Sequence, residues 1–72
     1  MPEIKLLSMY RILKKAGGDR VSEESVKELR TTLEKIAYEI SANAVDLSHH
    51  AGRKTIKSED IQLAVKSFNL KK

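Results

Sequence analysis

Residues 22–50 read SEESVKELRTTLEKIAYEISANAVDLSHH and contain neither proline nor glycine. Within and just beyond them, apolar residues fall at Val26, Leu29, Leu33, Ile36, Ile40, Ala44, Leu47 and Ala51. The steps are all three or four residues, the repeat of one face of an α-helix. Ser22 is a good N-cap, and Glu23 and Glu24 complement the positive end of the helix it would start. At 1.5 Å per residue such a helix would be about 43 Å long, which is long for a chain of 72 residues. Ala37, Tyr38 and Val45 widen the stripe, so more than one neighbour has to pack on it.

Working outward, the only proline is at position 2 and the glycines are at 17, 18 and 52. The segment before Gly17 carries Leu6, Tyr10, Leu13 and Ala16, with Leu7, Met9 and Ile12 beside them, and suits a short amphipathic helix over about 4–16. Gly17 is its natural stop, because glycine enters the left-handed region without penalty. After Gly52, Ser58 is expected to cap a last helix over about 58–68, with Glu59 and Asp60 in its first turn. Ile61, Ala64, Val65 and Phe68 form its apolar face. The fold class is therefore all-α, a single domain over 1–72, with short, long and short helices and loops at 17–21 and 51–57.

So short a chain buries a modest fraction of its surface and usually needs disulfides, a metal or a partner chain. There are no cysteines. His49 and His50 are adjacent and point about 100° apart on a helix, unlike ligands spaced i, i+4. No metal and no cofactor are expected, which leaves a partner chain. Two copies whose long helices cross at their midpoints would bury each other's stripe, so the expectation is an obligate dimer. No apolar run approaches the roughly 20 residues of a membrane span. The start MPEIKLLSMYR lacks the ordered regions of a signal peptide, and the sequence reads as that of a soluble intracellular protein with no membrane partner.

The charge is unevenly placed. The net charge is +4 and the pI about 9.5. Residues 1–22 carry five basic against two acidic side chains, residues 23–50 three against six, and residues 51–72 six against two. The long helix is acidic, while the loops and short helices are basic. Some of these lysines could merely complement helix C-termini, Lys14 and Lys15 among them, and Lys71 and Lys72 could be a tail. That explains less well why both loops are basic. An anionic partner is expected.

Tyr10, Tyr38 and Phe68 all fit apolar stripes, so stacking platforms for single strands are missing and duplex phosphates are favoured. Asn43, Gln62 and Asn69 are scattered, so little base reading is expected. A helix-turn-helix needs a turn of three or four residues, and the second loop here is about seven. No phosphate loop or nucleophile elbow is present. Asp46 and His50 could meet on the long helix, but such a pair is more often structural than catalytic. The chain is read as no enzyme, with no small-molecule substrate.

Three stretches, AGGDRVS (16–22), HAGRKTIKSEDI (50–61) and LAVKSF (63–68), closely resemble the archaeal histones. The similarity runs from Arg11 to Phe68, with HAGRKTIKSED its specific part. Residues 1–10 depart from it, since the family usually has a proline-bearing apolar start.

The resemblance implies a histone fold, two chains in a head-to-tail handshake with each first loop beside the partner's second. Arg20-Val21 and Thr55-Ile56 would then pair as short parallel strands. It implies that Arg20 enters the minor groove of double-stranded DNA, that Thr55 holds it, and that Lys54, Arg11 and Lys14 meet phosphate. Lys57 lies in the same basic loop and is placed with them. Nucleosomes bind DNA in this way, through backbone contact and deformability without base-specific contacts. Arg53 and Asp60 match a salt bridge within the chain. Leu47, His50, Asp60 and Leu63 match a four-helix contact through which dimers join; the lesser alternative is that Leu47 and Leu63 are only core within the dimer.

The facing positions in stacked family filaments would be Lys15 with His49 and Lys35 with Lys66 here. These are like-charged or weakly charged, so filaments are expected to be shorter or more open. The leading expectation is a cytoplasmic, nucleoid-associated architectural protein that forms a homodimer, or a heterodimer with another histone, and wraps or compacts duplex DNA. The rival is a histone-fold interaction subunit of a transcription-factor complex.

Overall fold

In the computed structural model, which describes residues 3–70, three helices follow one another: α1 Leu6–Lys15, α2 Glu23–His50 and α3 Ser58–Leu70. The short-long-short order is as expected, and α2 is unbroken. The chain forms two units, Met1–Lys35 and Ile36–Lys72, with α2 running through both. Lys71 and Lys72, counted in the basic C-terminal charge, lie outside the described residues. Among the described residues no helix is long and apolar enough to cross a membrane.

The two glycine-marked helix ends are built alike. At the end of α1, Gly17 N–H donates to the Lys14 carbonyl and Gly18 N–H to the Leu13 carbonyl. At the end of α2, Gly52 N–H donates to His49 and Arg53 N–H to Ser48. Both are Schellman closures, which satisfy the carbonyls a helix end would leave open. Each requires a residue at positive φ after the cap. Gly17 at 107° and Gly52 at 70° supply it, where a side chain would be strained.

The helix starts differ from one another. Ser22 accepts the Ser25 N–H on its Oγ at 3.1 Å, the N-cap bond anticipated for α2. For α3 the expected cap moves one residue back. Lys57 is the cap: its carbonyl accepts the Ile61 N–H, and its own N–H donates to Asp60 Oδ2 at 2.8 Å. Ser58 is instead the first helical residue. The acid in the first turn has taken over the capping work by folding back, as the third residue of a capping box does. At α1 the helix begins at Leu6, not at residue 4. Glu3 and Ile4 stay outside it because their N–H groups both donate to Glu34 Oε2 of α2, Ile4 at 2.8 Å. These two bonds lower the Glu34 pKa, that of Ile4 most strongly, against an opposing effect of burial.

In the first unit, Met9 and Val26 are buried, and Leu6, Leu13, Leu29 and Leu33 are half-buried. The covered face of α1 is thus Leu6, Met9 and Leu13, spaced i, i+3, i+7, while Tyr10 and Ala16 remain exposed. An apolar groove of about 390 Å³ opens between Leu6, Leu7, Tyr10, Val21, Glu23 and Val26. In the second unit, Ala44, Ser48, Asp60 and Ala64 are buried. Ile36, Ile40, Val45, Leu47, Val65 and Phe68 are half-buried. The α2 stripe is therefore only partly covered by its own chain, and Tyr38 at its edge is 75% exposed.

Candidate nucleic-acid interface

The second loop is fixed from inside. Ser48, buried in the last turn of α2, donates its hydroxyl to the carbonyls of Arg53 at 3.0 Å and Thr55 at 3.1 Å. Arg53 Nη1 also donates to the Thr55 carbonyl at 2.9 Å. The same guanidinium holds Asp60 with two bonds, Nη1 to Oδ2 at 2.9 Å and Nη2 to Oδ1 at 2.8 Å. With the Lys57 N–H, the Asp60 carboxylate receives three donors. Such charge-assisted, two-point pairing is strong and directional.

The electrostatics follow from that geometry. Arg53 holds the Asp60 carboxyl down to about 2, with the Lys57 N–H adding to the effect and burial opposing it. Asp60 in turn raises the Arg53 pKa. Buried acids are costly unless paired and hydrogen-bonded, and Asp60 is both. The Arg53–Asp60 bridge expected within the chain is present.

With Arg53 turned inward, the outer surface of the loop is made by Lys54, Thr55, Ile56 and Lys57, all exposed. Among the described residues, no ion pair engages the ammonium groups of Lys54 and Lys57. They are available cations. The first loop is held by a different device: Lys14 Nζ donates to the Asp19 carbonyl at 2.8 Å and sits 5.7 Å from the centre of the Tyr10 ring. Arg20, directly after the braced carbonyl, is exposed, as is Arg11 on α1. Lys14 is thus partly occupied within the chain, whereas Arg11, Arg20, Lys54 and Lys57 face solvent.

The four residues expected at a contact between dimers are differently placed. Leu47 is half-buried, His50 exposed, Leu63 53% exposed, and Asp60 buried in its pairing with Arg53. Leu63 borders an open groove with Glu59, Gln62 and Lys66. Among the described residues no group of three His, Asp or Glu side chains is placed to hold a metal ion.

Two residues that brace the backbone, one at the second loop and one at the start of the chain, escape a reading of charge and periodicity alone. Ser48 lies on the α2 stripe, four residues after Ala44. A polar residue in an apolar register is the signal that could have found it, since buried hydroxyls need partners. Glu34 carries no comparable signal, because its partners are backbone groups of an irregular segment.

The family model for histone-like transcription factors (CBF/NF-Y) and archaeal histones matches residues 4–65. The chain belongs to the archaeal histone family. It is 45% identical over 67 residues to one of the subunits of archaeal histone HAN1 from Thermococcus zilligii, covering 93% of this chain and all of that protein. It is 48% identical over 66 residues to probable archaeal histone 3 of Methanocaldococcus jannaschii, covering 92% of this chain and 98% of that one. The three helices are those of a histone fold. The family match spans both basic loops and the Arg53–Asp60 bridge that ties the second of them to α3.

Proposed function

We propose that this histone is an architectural DNA-binding protein. It dimerises, binds double-stranded DNA largely without sequence preference, and bends, wraps or compacts it within the nucleoid. The observation that carries this reading is the division of labour in the loop at 51–57. Arg53 is spent on Asp60, and the remaining cations Lys54 and Lys57 are exposed around Thr55. A loop needing only to connect two helices has no use for exposed cations held on a braced backbone.

In the dimer, the first loop of one chain lies beside the second loop of its partner, and Arg20-Val21 pairs with Thr55-Ile56. Arg20 enters the minor groove with Thr55 beside it, and Lys54, Lys57, Arg11 and Lys14 neutralise phosphates. The partner is a second copy or another histone chain; one relative is itself named as one subunit of a histone. Dimers join on DNA through Leu47, His50, Asp60 and Leu63. Filaments stay short or open, because Lys15 would face His49 and Lys35 would face Lys66, pairs without attraction.

The family description also covers histone-like transcription factors, so an interaction module that works through a protein partner is the competing reading. Exposed Arg20, Lys54 and Thr55 speak against it. Arg20→Ala and Lys54→Ala decide between them. On the architectural reading each weakens binding to unrelated duplexes by the same factor while the dimer stays folded, and nuclease digestion of the wild-type complex leaves a ladder of regularly spaced lengths. Unchanged DNA binding in both variants would favour the interaction module.

A further inference from the structure

Ser48 is 1% exposed, yet its hydroxyl belongs to no helix bond and no core contact that needs oxygen. A serine inside a helix ordinarily returns its proton to the carbonyl one turn back. Here the proton goes forward, past the helix end, to the carbonyls of Arg53 and Thr55 at 3.0 and 3.1 Å. A hydroxyl has one proton, so the two carbonyls share it. The main chain of Ser48 is also engaged: its carbonyl accepts the Arg53 N–H at 3.0 Å. One residue thus holds both the N–H and the C=O of Arg53, together with the C=O of Thr55.

Lys54 lies between the two captured carbonyls, and its side chain and that of Thr55 are exposed. The Thr55 carbonyl is doubly held, by Ser48 Oγ and Arg53 Nη1. The backbone flanking the outward-facing pair is therefore fixed before any ligand arrives. Ordering a loop on binding costs affinity, and a loop already ordered avoids that cost.

We propose that Ser48 is a positioning residue for DNA binding, holding the loop at 53–57 so that Lys54 and Thr55 are presented to the duplex; the inference rests on the DNA-binding reading above. Ser48 touches no DNA and carries no charge. Its removal lowers affinity without changing the number of phosphates neutralised, so it leaves the salt slope unaltered. A phosphate-contacting lysine changes both.

The test is a titration of full-length wild type, Ser48→Ala, Lys54→Ala and the double variant with random-sequence duplex DNA at several salt concentrations. Nitrogen-15 relaxation of residues 53–57 is measured in the free proteins. Ser48→Ala is expected to bind about two- to tenfold more weakly, the range one net hydrogen bond contributes, with an unchanged slope and lower order in the loop. Its effect is expected to shrink in the Lys54→Ala background, because coupled residues are not additive. Should Ser48→Ala fail to fold, Ser48→Cys, a far weaker donor, takes its place.

Wild-type-like binding of Ser48→Ala, or a full effect retained without Lys54, would overturn the proposal while the DNA-binding reading stands. Absence of binding by the wild type would overturn both.

Discussion

Asp60 and Lys57 stand three residues apart, and the carboxylate of the first caps the helix that begins just after the second, accepting its N–H at 2.8 Å. The same carboxylate takes both nitrogens of the Arg53 fork. A single acid therefore starts α3 and fixes the loop before it. That explains how an aspartate comes to be buried in so small a protein.

The pairing makes stability depend on pH in a defined direction. Asp60 titrates at about 2 in the folded chain, against an ordinary 3.8. The folded state therefore favours the charged form, and its contribution is complete above the ordinary value. It is lost as pH falls from about 4 toward 2. Asp60→Asn is expected to lower the melting temperature clearly at pH 7. The gap to wild type should close through that acid window, as followed by circular dichroism at a series of pH values. A gap constant down to pH 2 would mean the charge contributes nothing.

Gly17 and Gly52 close the two Schellman ends at positive φ, and a Cβ at either would meet no atom within 4 Å. Alanine there is opposed by backbone strain alone, at about 1–2 kcal/mol for Gly52 in the left-handed region and at least as much for Gly17, which lies beyond it at 107°. Gly18 is the contrast, because its Cβ would lie 3.1 Å from the Leu13 carbonyl oxygen. Denaturant unfolding of Gly17→Ala and Gly52→Ala should show that loss, and Gly52→Asn a smaller one, since asparagine tolerates the left-handed region better.

Met9, Val26, Ala44 and Ala64 are the buried apolar residues among those described, and two of them are alanines. Leu7, Ile12, Tyr38 and Leu63 are each more than half exposed. So small a core predicts that folding and association are one process. The unfolding midpoint is expected to rise with protein concentration, by circular dichroism over a hundredfold range. A midpoint independent of concentration would mean that the single chain is stable by itself.

The helix order was legible because its signals are local. The unbroken repeat from Val26 to Leu47 marked α2, and Gly17 and Gly52 marked the ends of the helices before each loop. Ser22 capped as its type and place suggest. Ser58 did not, because Asp60 reached the Lys57 N–H first, and a competition between two good capping residues is decided by loop geometry that no spacing records. Arg53 and Asp60 were separable from the basic run only through family resemblance. Composition marks both as surface charges, whereas the fold buries Asp60. The Lys14–Asp19 brace was hidden for a related reason: its acceptor is a backbone carbonyl, which every residue possesses.

The most direct measurement for the account as a whole is the affinity for random-sequence duplex DNA as a function of salt. Each neutralised phosphate lowers log affinity by about 0.9 per log unit of salt. With Arg20, Lys54, Lys57 and Arg11 contributed by both chains, the expected result is a steep slope, shared by duplexes of unrelated sequence. A flat salt dependence, or binding confined to one sequence, would contradict it.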